Sequence, residues 1–71
     1  MSEQTFLERL QQEKTDLDGK LDKLVPFMNS EKFVALSLKH RKLLERQRLA
    51  MTQYSEILGE RLTDLAANPP A

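Results

Sequence analysis

Cysteine is absent from the 71 residues, so no disulfide can brace the fold. A single histidine and no thiol fall short of the three or four nitrogen and sulfur ligands that zinc takes, which argues against a metal site. Only two glycines occur, and neither belongs to a glycine-rich phosphate loop. No apolar run is long enough to cross a bilayer, and the opening MSEQTFLERLQQEK has no stretch resembling a signal peptide. The expectation is a cytoplasmic protein with no membrane partner. The net charge is zero, whereas a general nucleic-acid binder shows a strongly basic surface, so DNA is not an expected partner. Hydrolytic chemistry needs a nucleophile with a positioned base, or paired carboxylates in a cleft, and nothing here supplies either. The reading is therefore not an enzyme, with no catalytic residues, no metal and no cofactor.

What is present is charge and leucine. With 31% charged and 39% hydrophobic residues, the composition is that of a helical or coiled-coil chain. Seventy-one residues give room for one domain, 1–71, with a thin core. Burial alone rarely leaves such a chain more than a few kcal/mol of stability, and with disulfides and metal set aside, self-association is the remaining brace.

Leu7, Leu10, Lys14, Leu17, Leu21, Leu24 and Met28 follow alternating steps of three and four, a seam interrupted only by Lys14. This predicts a first helix over about 3–25, capped by Ser2 with Glu3 in its first turn. Gly19 weakens it, and Pro26 is expected to kink or end it near Leu24 or Val25. A corner over 26–37 follows, with Ser30 capping a short turn, EKFVAL, in which Phe33 and Leu36 are spaced for contact. Ser37 is the expected N-cap of a long helix over about 38–66. Asn68, Pro69 and Pro70 stop it, leaving 67–71 as a frayed tail. The predicted fold class is all-α: an antiparallel helical hairpin with a kinked first helix, a short connecting turn and a long second helix. The long helix has an apolar face wider than one neighbour covers, so the hairpin is expected to assemble into a homo-oligomer.

On that long helix His40, Gln47, Tyr54 and Arg61, seven apart, fall inside the apolar face formed by Leu43, Leu44, Ala50, Met51, Ile57, Leu58 and Leu62. Two readings are open. Polar side chains in a seam set register and oligomer state, with Arg61 paired to an acid. Alternatively, subunits meet around the row and leave a polar pocket for an anionic or heterocyclic ligand.

The charges are unevenly spread. Residues 31–48 carry six basic and two acidic groups, between mildly acidic arms. The cluster KHRK at 39–42, with Arg46 and Arg48 behind it, lies at a predicted helix N-terminus, where free N–H groups and the helix dipole favour anions. A solvated charged face is the plain alternative. In the first helix Phe6 joins the edge of the leucine seam, as core or as a stacking platform. Arg9, Lys20 and Lys23 lie on its polar flank, solvated or within reach of a neighbouring subunit's ligand.

The order of these residues resembles a known family. In the first helix the match is Arg9-Leu10, Glu13, Leu17, Lys20 and Lys23-Leu24; beyond the corner it runs through Phe33, Leu36, Leu43-Leu44, Gln47, Met51, Tyr54, Leu58 and Arg61. It covers roughly residues 6–62, and the Gln, Met, Tyr and Arg on one helix are its more specific part. The chain resembles the phage anti-CBASS sponges, small helical proteins that capture cyclic oligonucleotides. The resemblance implies a homo-oligomer, expected as a hexamer, that holds host immune second messengers in the host cytosol without cleaving them, and so keeps the suicide effector inactive. It implies a cyclic di- or trinucleotide as partner. It also implies a base stacked on an aromatic of the first helix and a phosphate met by a lysine further along. The matching residues are Phe6 and Lys20, with Lys23 as a substitute; phenylalanine in place of the family's tyrosine keeps the stacking and drops the hydroxyl. The ligand-binding set is thus Phe6, Arg9, Lys20, Lys23, Gln47, Arg48, Tyr54 and Arg61. The alternatives are a coiled-coil structural or adaptor protein that binds another helix, and a nucleic-acid-binding helix pair using residues 39–48.

Overall fold

The computed structural model describes residues 5–69. Three helices make up this span: α1 (Phe6–Met28), α2 (Glu31–Val34) and α3 (Leu38–Ala67). The described residues include no strand. Among them no helix is long and apolar enough to cross a membrane.

Helix α1 starts at Thr5, whose hydroxyl accepts from Glu8 N–H at 3.1 Å. A hydroxyl there occupies one of the donors that the first turn leaves free. The expected cap, Ser2, and Glu3 lie outside the described residues. The expectation for Pro26 is corrected: α1 does not end at Leu24 or Val25 but runs on to Met28, with Pro26 inside it. Proline removes one hydrogen bond to the preceding turn, and local packing offsets that loss. Phe27 meets Phe33 edge-to-face, with ring centroids 6.4 Å apart, which ties the last turn of α1 to α2. The Asn29 and Ser30 N–H groups close onto the Pro26 and Phe27 carbonyls at 3.1 and 3.0 Å. Ser30 makes no side-chain cap for α2; its hydroxyl instead donates to Phe27 O at 2.6 Å and finishes α1.

Ser37 caps α3 by accepting from His40 N–H at 3.1 Å. The helix reaches Ala67, one residue past the predicted end. Asn68 there donates its backbone N–H to Asp64 O at 2.7 Å, and Pro69 follows.

Helices α1 and α3 run antiparallel. The start of α1 meets the end of α3, where Arg61 lies over Phe6. Its middle bonds across at Lys14 and Ser55. Its end, Val25 and Met28, shares a groove with Glu45 and Arg48. The leucine seam faces α3: Leu10 is buried, and Leu17, Leu21, Leu24 and Met28 are half-buried. Leu58 is the one fully enclosed large side chain among the described residues.

Lys14, the break in the leucine seam, anchors a polar cluster at the centre of this interface. Its ammonium donates to Ser55 Oγ at 2.8 Å and to Asp18 Oδ2 at 3.1 Å, while the Ser55 hydroxyl donates to Asp18 Oδ1 at 2.5 Å. Ser55 is buried. The Ser55 hydroxyl, and after it the Lys14 ammonium, hold the Asp18 carboxyl below its ordinary pKa. Leucines at helical spacing allow a hairpin to slide by a turn or a heptad, whereas a buried hydroxyl that serves one cation and one carboxylate allows a single alignment.

The result is long and thin. The radius of gyration is 16.1 Å, against about 11 Å for a compact chain of this length. Val34, Leu38, Leu49 and Ile57 are all more than half exposed, so much of the apolar surface written into the sequence faces outward.

Candidate ligand-binding surface

The hairpin gathers the predicted site residues into separate places. At the end where α1 begins and α3 finishes, the Arg61 guanidinium sits 5.9 Å from the Phe6 ring centroid. A cation over an aromatic face is drawn by the negative ring quadrupole. Phe6 remains half exposed, so the ring keeps open surface for a second planar group. Among the described residues no acid pairs with Arg61; an aromatic ring is its neighbour.

Farther along, Lys20 and Lys23 from α1 and Gln47 from α3 line one open groove of about 400 Å³, floored by Leu24, Phe27 and Met51. Gln47 Nε2 lies 3.8 Å from Met51 Sδ, a weak contact that leaves the amide exposed. Two ammonium groups and an amide over an apolar floor suit a ligand with an anionic edge and a flat apolar face. The floor was not singled out as a site feature from sequence, because leucine, phenylalanine and methionine at helical spacing read as core.

Arg48 belongs to a third place. It lines a groove of about 660 Å³ between the end of α1 and α3, with Val25, Met28, Phe33, Glu45 and Leu49 among its neighbours. Tyr54 is exposed between the Phe6 end and the lysine groove, and Arg9 is exposed on α1 outside both. His40 is exposed in the first turn of α3.

These places are far apart. Phe6 and Lys20 are fourteen residues apart on α1, and so are Gln47 and Arg61 on α3, which is about 21 Å in each case at the helical rise. That is several times the separation of a base from the phosphate of its own nucleotide. One hairpin therefore does not hold a single nucleotide between Phe6 and Lys20.

The Sequestin family matches the chain over residues 4–64, most of its length and every one of these residues. The chain belongs to the Sequestin family. The match agrees with the resemblance to anti-CBASS sponges read from the residues themselves. As a Sequestin, the protein has a binding, sequestering role. No curated protein and no solved structure matches the chain.

Proposed function

We propose that this Sequestin captures cyclic di- or trinucleotides that serve as host immune signals, in the host cytosol during phage infection, and holds them without cleavage. The observation that carries this reading is the grouping of Lys20, Lys23 and Gln47 over an apolar floor, within a chain of a sequestering family. Ammonium groups neutralise phosphate, and the floor takes base or ribose.

The sites are formed between copies, with six as the proposed number. The support is the distance above: a base stacked on Phe6 and the phosphate of that same nucleotide on Lys20 are brought together when the two residues come from different chains. Arg61 then backs the Phe6 ring on one face while the base covers the other.

Protein purified from a host that makes such signals and then denatured should release a cyclic oligonucleotide detectable by mass spectrometry. Ligand-free protein should rise in melting temperature with at least one member of a panel of cyclic di- and trinucleotides, since a ligand that binds only the folded state stabilises it by mass action. Lys20→Ala and Phe6→Ala should each weaken that binding by ~1 kcal/mol or more with the assembly intact. No release and no shift with any member of the panel would leave the adaptor reading in its place.

A further inference from the structure

At the turn end of the hairpin, the groove of about 660 Å³ that Arg48 lines has an apolar floor and a charged rim. Val25 and Met28 from α1, Phe33 from α2 and Leu49 from α3 make the floor, and Phe33 is held there by its edge-to-face contact with Phe27. The rim carries Glu45 and Arg48, both exposed and three residues apart on α3. Opposite charges at that spacing commonly pair. These do not, for among the described residues the one ion pair is that of Lys14 with Asp18. Arg41 continues the same face one turn before Glu45, and its Nε is buried without a hydrogen-bond partner. The groove thus presents a free carboxylate beside a free guanidinium, over a surface that suits a flat ring.

We propose that this groove is a binding site for a guanine nucleotide, separate from the lysine groove. The base is chosen by its donors. An ionised carboxylate offers two neighbouring acceptors and no donor, so it is matched by two N–H groups side by side. Guanine has them, at N1 and N2 on its Watson–Crick edge. Adenine sets its amine between two ring-nitrogen acceptors, uracil sets its one N–H between two carbonyls, and cytosine sets its amine next to a ring acceptor. Each of these turns a lone pair towards the second carboxylate oxygen. Arg48 serves the rest of the guanine edge, because a guanidinium fork is the usual partner of O6 and N7. The faces of the base rest on the apolar floor. Arg41 lies seven residues before Arg48, about 10.5 Å of helix, which is within the span of one nucleotide from base edge to phosphate. Its guanidinium is suited to that phosphate.

This site does not rest on capture at the lysine groove, and its test uses the ligand-free full chain with GMP, AMP and guanosine as probes. Calorimetry should show GMP binding at least about tenfold tighter than AMP. Glu45→Gln, at an exposed position, should lower GMP affinity about tenfold and bring GMP and AMP close to equal, since the amide presents one acceptor where the carboxylate presents two. Arg41→Gln should bring GMP down to the level of guanosine and leave guanosine itself unchanged. Lys20→Ala should bind GMP as the wild type does, so failure of the cyclic-oligonucleotide reading and failure of this one show in different variants. In nuclear magnetic resonance spectra the Phe33 ring signals should move as GMP is added. No binding of GMP, equal binding of AMP, GMP affinity unchanged in Glu45→Gln or Arg41→Gln, or GMP affinity lost in Lys20→Ala would overturn the assignment.

Discussion

Leu58 and Ile57 are neighbours in sequence that answer to different surfaces, and replacing each by alanine separates the fold from the assembly. Leu58 is fully enclosed against α1, and Ile57 is 52% exposed on the outward side of α3. Truncating an enclosed leucine costs about 2–5 kcal/mol, the lost transfer energy plus the cavity left behind. A two-helix hairpin of this size has only about 3–5 kcal/mol in total, so Leu58→Ala should leave most of the isolated chain unfolded. For Ile57 in a lone hairpin, half of the ~1.5–3 kcal/mol of full burial is already forfeited to water. Alanine also returns a few tenths of a kcal/mol through its higher helix propensity, so the net loss should be under about 1 kcal/mol. Urea denaturation followed by circular dichroism, at two protein concentrations about a hundredfold apart, reads both effects. Leu58→Ala should lower stability by a similar amount at each concentration. In the proposed multi-copy assembly the loss from Ile57→Ala should grow with concentration, because its exposed side chain is then covered by another copy. If Leu58→Ala cost under about 1 kcal/mol, or if the two variants behaved alike at low concentration, the packing of α3 on α1 argued above would be wrong.

Asp18 makes stability depend on pH. Its pKa is depressed in the folded state, so its contribution is complete above the ordinary carboxylate range and fades as pH falls through the folded value; Asp18→Asn should flatten the acid limb of a urea-midpoint profile, and Ser55→Ala should flatten it in part. Gly19 has nothing within 4 Å of where a Cβ would stand, so Gly19→Ala should stabilise the ligand-free hairpin by about 0.5–1 kcal/mol, read as a higher melting temperature. Ser37→Ala removes the acceptor for His40 N–H and should cost about 1 kcal/mol in the same measurement.

Much of the hairpin was legible because helical spacing and caps are local signals. From Leu10 to Met28 the steps of three and four in the first helix faced inward as read, while Leu7, the first of them, is exposed, and Ser37 and Asn68 mark the ends of α3 within a residue. The end of the first helix was set too early, at Leu24 or Val25, because the local penalty of Pro26 was weighed without the Phe27–Phe33 contact, which depends on where the chain turns. Lys14 stood out as a break in the seam, yet its partner Ser55 lies forty-one residues away, and no local rule couples the two. The candidate site residues were legible as types: cations, an aromatic and an amide on the two long helices. Their division into a Phe6–Arg61 end and a Lys20–Lys23–Gln47 groove was not, because it follows from antiparallel packing, which turns nearness along the chain into distance across it.

The smallest extent of the molecule is 15 Å, little more than one helix with its side chains at about 10–12 Å. A sheet of helices one layer deep has two broad faces and no inside. In the proposed assembly, what the protein wraps is wrapped by several copies, so containment becomes a collective property that rises steeply with the amount of protein made. Dilution would open the container before it unfolded the walls, and a captured molecule would be released by loss of neighbours rather than by any change within the chain that touched it.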